Sequence, residues 1–248
     1  MQPAGSPLLR QREQRTSGRI LAVCLAVSAG LLVPAGAGQP NQAPLKAALS
    51  FPARHPYLAV TPEGLQRAKE RADRHPWARQ VLEGLIEDAR KKAARPMEKL
   101  PPKGDQAHWQ VGAGLLQVGL GYAFSGDRQL ATWVRDGLVA YADLYPTLSW
   151  TNRRCRVFSQ SSLYEAIWVE SIVQAYDLVA DSGVFSEQDR QHVEQDLLRA
   201  SAECFLIRDF QGDPRIRDLH YRCYNFQAWH LGAIGLAGLA LRDAEMVD

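Results

Sequence analysis

Apolar positions recur along this chain with a helical period, and they alternate between two kinds of helix. Trp77, Val81, Leu85 and Ala89 fall every four residues and draw one apolar stripe on a helix from Trp77 to about Ala94. A shorter helix precedes it. Thr61-Pro62-Glu63 supplies a hydroxyl cap, a proline at the first turn and an acid near the positive helix end, and His75-Pro76 interrupts the run after Arg74. From Trp109 to Phe124 the pattern changes. Gly112, Gly114, Gly119 and Gly121 are interleaved with Val, Leu and Ala, so this helix is apolar nearly all round, as expected of one that is buried between close neighbours. After the turn Ser125-Gly126-Asp127, Leu130, Val134, Leu138 and Tyr141 mark an amphipathic helix that stops before Pro146.

The alternation then repeats. Leu163 to Ala180 is mostly apolar and Ser182-Gly183 ends it. Ser186 with Asp189 resembles a capping box, with Asp in place of the usual Glu. Val193, Leu197 and Cys204 share a face of the next helix, a polar loop runs from Asp209 to Tyr221, and a third apolar helix extends from near Asn225 to Leu241. Two internal echoes accompany the alternation. Trp109-Gln-Val-Gly112-Ala113 matches Trp229-His-Leu-Gly232-Ala233, and Arg154-Cys155-Arg-Val-Phe158 matches Arg222-Cys223-Tyr-Asn-Phe226. No strand-like alternation persists anywhere. The expectation is an all-α fold of hairpins, each pairing a buried inner helix with an amphipathic outer one. Such hairpins bury their faces by stacking, and a ring closed this way is an (α/α) toroid.

Composition changes the picture mainly at the N-terminus. Arg10, Arg12, Arg15 and Arg19 precede an apolar run from Ile20 to Val33, which is short for a bilayer span, and Ala35-Gly36-Ala37 offers a small-residue cleavage site. Residues 1–37 therefore read as a signal peptide and 38–50 as a linker, leaving 51–248 as the helical domain. Export to the periplasm or outside the cell follows, with no stable membrane span after cleavage. The formal charge of +2 arises from 29 basic and 27 acidic residues. Removing four Arg and one Glu with the leader leaves 25 basic and 26 acidic residues, a net −1 that does not indicate nucleic-acid binding. Cys155, Cys204 and Cys223 remain, an odd count with no close-spaced zinc motif.

Four stretches, in this order, resemble the heparinase II/III and alginate lyase group of polysaccharide lyases. They are His55-Pro56-Tyr57-Leu58-Ala59-Val60-Thr61-Pro62-Glu63, Ser125-Gly126-Asp127, Gln174-Ala175-Tyr176-Asp177-Leu178, and Asn225-Phe-Gln-Ala-Trp229-His230-Leu-Gly-Ala-Ile234-Gly. The similarity covers about residues 51–248. It implies an (α/α) toroid followed by β-sandwich domains. This chain reaches about half of such a toroid and has no β-sandwich, so it reads as a fragment or truncated frame. The resemblance also implies a substrate, an acidic uronate-containing polysaccharide, and a reaction, β-elimination, that needs no metal or other cofactor.

In such a reaction a neutral or cationic donor holds the uronate carboxylate while charge develops in the enediolate-like state. A base removes the C5 proton and an acid assists departure of the 4-oxygen. By resemblance, Asn225 is the carboxylate-holding residue; as a residue, it is equally suited to capping the helix it begins. His230 is either an acid/base or substrate donor, or a hydrogen-bonded core histidine. Several relatives place His directly after the Asn, where this chain has Phe226. Tyr224, Gln227, Trp229, Arg222, Arg154 and Gln160 are the remaining substrate-binding candidates. Trp109 and Trp150 either stack on sugar rings or pack. Arg153, Arg154 and Arg156 form a basic cluster that is either a polyanion contact or a solvated loop. Cys155 and Cys223 each follow Arg in loops entering inner helices, and a disulfide between them would pin two rim loops together. The family's Tyr acid/base normally comes later in the chain. Two other functions fit an α/α architecture: a glycoside hydrolase, which needs two positioned carboxylates, whereas the Glu165 and Asp177 present here read as structural, and a noncatalytic glycan-binding protein.

Overall fold

The computed structural model describes residues 49–97, 99–149, 156–158, 161–210 and 225–247, without the side chains of residues 206–210 and of Asn225. Leu49–Asp248 forms one compact unit. The regular structure among the described residues is all helical, with no strand among them. The leader, Cys155 and Cys223, and the candidates Arg154, Gln160, Arg222 and Tyr224 lie outside the described residues, as do Trp150 and Arg153.

The helices are α1 (Pro62–Arg74), α2 (Pro76–Ala93), α3 (Ala107–Ser125), α4 (Arg128–Leu144), α5 (Ser162–Val179), α6 (Glu187–His192), α7 (Ala200–Phe210), α8 (Asn225–Leu241) and α9 (Ala244–Val247). A π-helical segment, Val193–Arg199, joins α6 to α7. Thr61 and Ser186, the polar starts read from the sequence, do cap their helices, and Asp127 and Ser161 cap two more. Thr61 accepts from the Gly64 amide at 3.1 Å, Asp127 from Gln129 at 3.1 Å, Ser161 from Leu163 at 3.2 Å and Ser186 from Asp189 at 3.0 Å. Each satisfies an amide that the first turn leaves without a helical partner. Gly126 ends α3 in the left-handed conformation, φ 71°, where a side chain would be strained.

Helices α3, α5 and α8 pack side by side as an inner row, with α5 in the middle. On the other side of this row lie α4, which packs on α3 and α5, and the π segment, which packs on α4 and α8. The inner helices run parallel. Gly112 of α3 meets Trp168 and Ser171 of α5, and seven residues further on Gly119 meets Leu178 and Ala175. The core between the layers includes Leu115, Val134, Leu138, Tyr141, Trp168, Ile172 and Leu197, all essentially inaccessible to solvent. The two glycines of the Trp-x-x-Gly echo have matching uses on opposite sides of α5. A Cβ at Gly112 would lie 2.7 Å from Trp168 Cδ1, and one at Gly232 would lie 2.6 Å from Glu170 Oε1.

One expected stripe is only half buried. Ala89 is inaccessible, but Trp77 is 63% and Val81 65% exposed. Helix α2 runs antiparallel to α3, with Ala89 against Gly121 and Lys92 against Gly114. In that register the first turns of α2 extend beyond the end of α3 at Ser125, and the packing of α1 on α2 leaves Trp77 and Val81 largely exposed. The periodicity was sound; the length of the neighbour was not legible from it.

Candidate functional site

Parallel inner helices bring their N-termini to one end of the row. Helical peptide dipoles leave partial positive charge there, and the first amides point outward. At this end lie Trp109 on α3, Tyr164 and Glu165 on α5, the 156–158 segment, and the start of α8 at Asn225. Trp109 is 40% exposed; its indole N–H donates to the Tyr164 carbonyl at 3.1 Å, and its ring meets the Tyr164 ring edge-on at 4.9 Å. It therefore presents an anchored aromatic surface at the rim.

The residues singled out on α8 divide by face. Asn225 is its first residue. Gln227 and Trp229 are half-buried. His230 is 8% exposed, with its ring stacked on Phe205 of α7 at 4.7 Å and edge-on to Phe226 at 6.3 Å. The ring thus lies between α8 and α7. Arg156 is likewise turned inward rather than solvated. Its guanidinium lies over the Tyr145 ring at 5.2 Å and donates to the Tyr145 carbonyl at 3.3 Å.

Two carboxylates are fully buried on α5, and both are occupied. Glu165 accepts from the Arg156, Val157 and Phe158 amides at 2.8, 2.9 and 3.3 Å and from the Tyr145 hydroxyl at 3.1 Å. Burial pushes its carboxyl up, against the opposing pull of those amides. Asp177 accepts from His55 Nδ1 at 2.7 Å and from the Tyr57 and Leu58 amides at 3.1 and 2.9 Å. Glu165 and Asp177 are twelve residues apart on one helix, roughly 18 Å along its axis. Paired carboxylates in a hydrolase stand about 5–10 Å apart across a sugar. These two hold chain segments at opposite ends of α5.

The face of the inner row away from the outer layer carries a half-exposed stripe. It includes Gln110, Ala113 and Gln117 of α3, Ile167, Glu170 and Gln174 of α5, and Ala228, Leu231 and Gly232 of α8. Small and amide side chains predominate there, suiting a surface that must be approached closely. Sequence reasoning did not single out Glu170. The signal was present in Gly232, since a glycine amid an apolar helix marks either a close approach or a bend. Among the described residues no group of His, Cys, Asp and Glu could hold a metal ion, and no helix is long and apolar enough to cross a membrane.

No protein-family model matches the chain. Two curated proteins are similar to it. An alginate lyase of Stenotrophomonas maltophilia (strain K279a) is 30% identical over 205 residues, 78% of this chain and 26% of that protein. An exo-oligoalginate lyase of Saccharophagus degradans is 29% identical over 136 residues, 53% of this chain and 17% of that protein. The chain thus spans about a quarter or less of the length of these relatives. Both alignments support a relationship to polysaccharide lyases.

Proposed function

We propose that the chain is a helical portion of an exported lyase that cleaves a uronate-containing polysaccharide, alginate being the first candidate, by β-elimination. The observation that carries this reading is the 30% identity to a protein named alginate lyase across 78% of the chain. The site's electrostatics agree with it. Three parallel helices end at one rim with their positive ends together, which favours an anionic polymer over a neutral one. An apolar leader of residues 20–33 fits export to where such polymers occur.

In this reading Asn225 donates its side-chain amide to the uronate carboxylate at the first turn of α8. Holding the carboxylate neutralises charge as the C5 proton leaves, and such a donor matters most in the transition state. The base that takes the C5 proton and the acid that serves O4 are not assigned to described residues. His230, packed on Phe205, sets the position of α8 and so acts on Asn225 through the helix. Trp109 supplies a face on which a sugar ring stacks.

The test follows the double bond that elimination leaves. The complete enzyme is incubated with alginate, heparan sulfate, hyaluronan and chondroitin, and absorbance is followed at about 235 nm, where the unsaturated uronate absorbs, for wild type and Asn225→Ala. A rise that Asn225→Ala lowers about 100-fold or more is expected, by analogy with loss of one oxyanion donor. Chain cleavage without new absorbance refutes elimination in favour of hydrolysis. Binding with no cleavage of any polymer refutes catalysis in favour of a glycan-binding protein.

A further inference from the structure

Glu170 is the remaining carboxylate of α5, and its surroundings differ from those of the other two. It sits midway along the helix, in the half-exposed stripe, at the line where α5 meets α8. Gly232 makes room for it: a Cβ at that position would lie 2.6 Å from Glu170 Oε1. Gln174, one turn on, gives its amide to the Glu170 backbone carbonyl at 3.0 Å rather than to the carboxyl. Among the described residues no hydrogen bond or ion pair reaches the carboxyl. No charged side chain from the helices packed on α5 acts on it either. His108 of α3 and His230 of α8 are buried against Tyr141 and Phe205, Glu165 and Asp177 are bonded to chain segments, and neither α4 nor the π segment contributes. Burial alone pushes this carboxyl up to about 7.

A half-buried carboxyl with no partner costs stability in its ionised form. Packing does not explain keeping it. The position does suggest a use. Gly232 lies seven residues after Asn225 on α8, which is two helical turns and therefore the same face, roughly 10 Å along the axis. That is about the length of two sugar residues in an extended chain.

We propose that Glu170 is a substrate-binding residue on this face, donating a hydrogen bond from its protonated carboxyl to an oxygen of the uronate chain two helical turns from Asn225. The assignment rests on the lyase reading above. It deepens that reading by making recognition of an anionic chain depend on an acid kept neutral. Ionisation would do two things at once: remove the donor and place a negative charge against a negative polymer. Gly232 is the second part of the device, because it lets the carboxyl withdraw from water between the helices.

The test measures affinity of the full chain for an alginate-derived tetrasaccharide by calorimetry at pH 6 and pH 8, at fixed ionic strength. For wild type the dissociation constant should rise about tenfold over that range, the ratio of protonated fractions for an acid of pKa about 7. Glu170→Gln keeps a donor without a charge and should bind with one affinity at both pH values, close to wild type at pH 6. Gly232→Ala displaces the carboxyl from its place against α8 and should weaken binding at pH 6. Thermal unfolding of each variant establishes that it is folded. Equal pH dependence in wild type and Glu170→Gln overturns the role of Glu170 and leaves the lyase reading intact. Failure of wild type to bind at either pH, together with no absorbance rise from the complete enzyme, overturns the lyase reading itself.

Discussion

Replacing Asp177 tests what the most conspicuous lead-in of the chain is for. His55-Pro56-Tyr57-Leu58 precedes the first helix, yet it is bound to a residue more than a hundred positions later. Asp177 is inaccessible to solvent and receives His55 Nδ1 and the amides of Tyr57 and Leu58. The neighbouring Asp181 takes the His55 amide at 2.8 Å, and the Tyr57 hydroxyl reaches the Leu239 carbonyl of α8 at 2.6 Å. The segment is thus a strap across the C-terminal ends of two inner helices. Hydrogen bonds to a charged acceptor contribute roughly 1.5–3 kcal/mol each, and they share one acceptor, so they do not add fully. Asp177→Ala leaves three donors facing an apolar gap and should cost about 3–5 kcal/mol. For a domain of this size that corresponds to a fall in Tm of about 6–20 °C.

Asp177→Asn discriminates the mechanism from mere loss of volume. The amide matches the carboxylate in shape but replaces one acceptor by a donor, which then faces other donors. It should therefore cost nearly as much as Asp177→Ala. Tyr57→Phe, which removes only the bond to Leu239, should cost about 1 kcal/mol. Urea unfolding followed by circular dichroism gives the energies, and hydrogen exchange at the Tyr57 and Leu58 amides reads the strap directly. Protection of those amides should drop in Asp177→Asn before global unfolding is reached. A loss below 1 kcal/mol in Asp177→Ala, with protection retained, would refute the reasoning.

Three further outcomes follow from the same structure. Gly121→Ala would set a methyl group on Ala89, a backbone-fixed neighbour that cannot swing away, so it should destabilise by about 2 kcal/mol or more and part α2 from α3 in thermal unfolding. Burial pushes the His108 imidazole below its usual range, with Nε2–H donating to Pro102 O at 3.2 Å and Nδ1 taking the Tyr141 hydroxyl at 3.0 Å. Its contribution is complete above pH 6.5 and is lost as pH falls through the depressed folded value, so His108→Gln should reduce the drop in urea midpoint between pH 7.5 and pH 5. Glu170 has the opposite sign: its folded carboxyl titrates near 7 rather than 4.5, so stability declines as pH rises between those values. Glu170→Gln should gain up to about 3 kcal/mol at pH 8 and nothing at pH 4, as read by urea unfolding.

Much of the fold was legible because helices announce themselves locally. Thr61, Asp127, Ser161 and Ser186 cap where their side chains can accept an amide, and the apolar all-round segments are the inner row. The exposed start of α2 was not legible, since Trp77 and Val81 have the right spacing but lie beyond the end of α3. Nor was the π-helical segment, which keeps Val193, Leu197 and Leu198 buried in spite of its altered register. The site was less legible than the fold. Asn225 and His230 drew attention together, being close in sequence, but five residues on a helix turn through more than a full circle. His230 consequently lies against the outer layer, and Asn225 shares its face with Gly232 instead.

The three carboxylates of α5 show why such a site resists sequence reading. Glu165, Glu170 and Asp177 occupy one helix and carry the same functional group. Glu165 lies near the start, where incoming backbone supplies amides, and it is consumed in holding the 156–158 segment. Asp177 lies near the end, where the lead-in crosses, and is consumed in the strap. These two are the carboxylates a hydrolytic pair would have to use, and each is removed from that role by the donors that surround it. Glu170 alone faces a glycine, and a glycine offers space but no hydrogen bond. A carboxyl that structure has not already satisfied is one that a ligand can satisfy. The distinction depends on what arrives from α8 and from two loops distant in sequence, so it becomes visible only when the inner row is assembled.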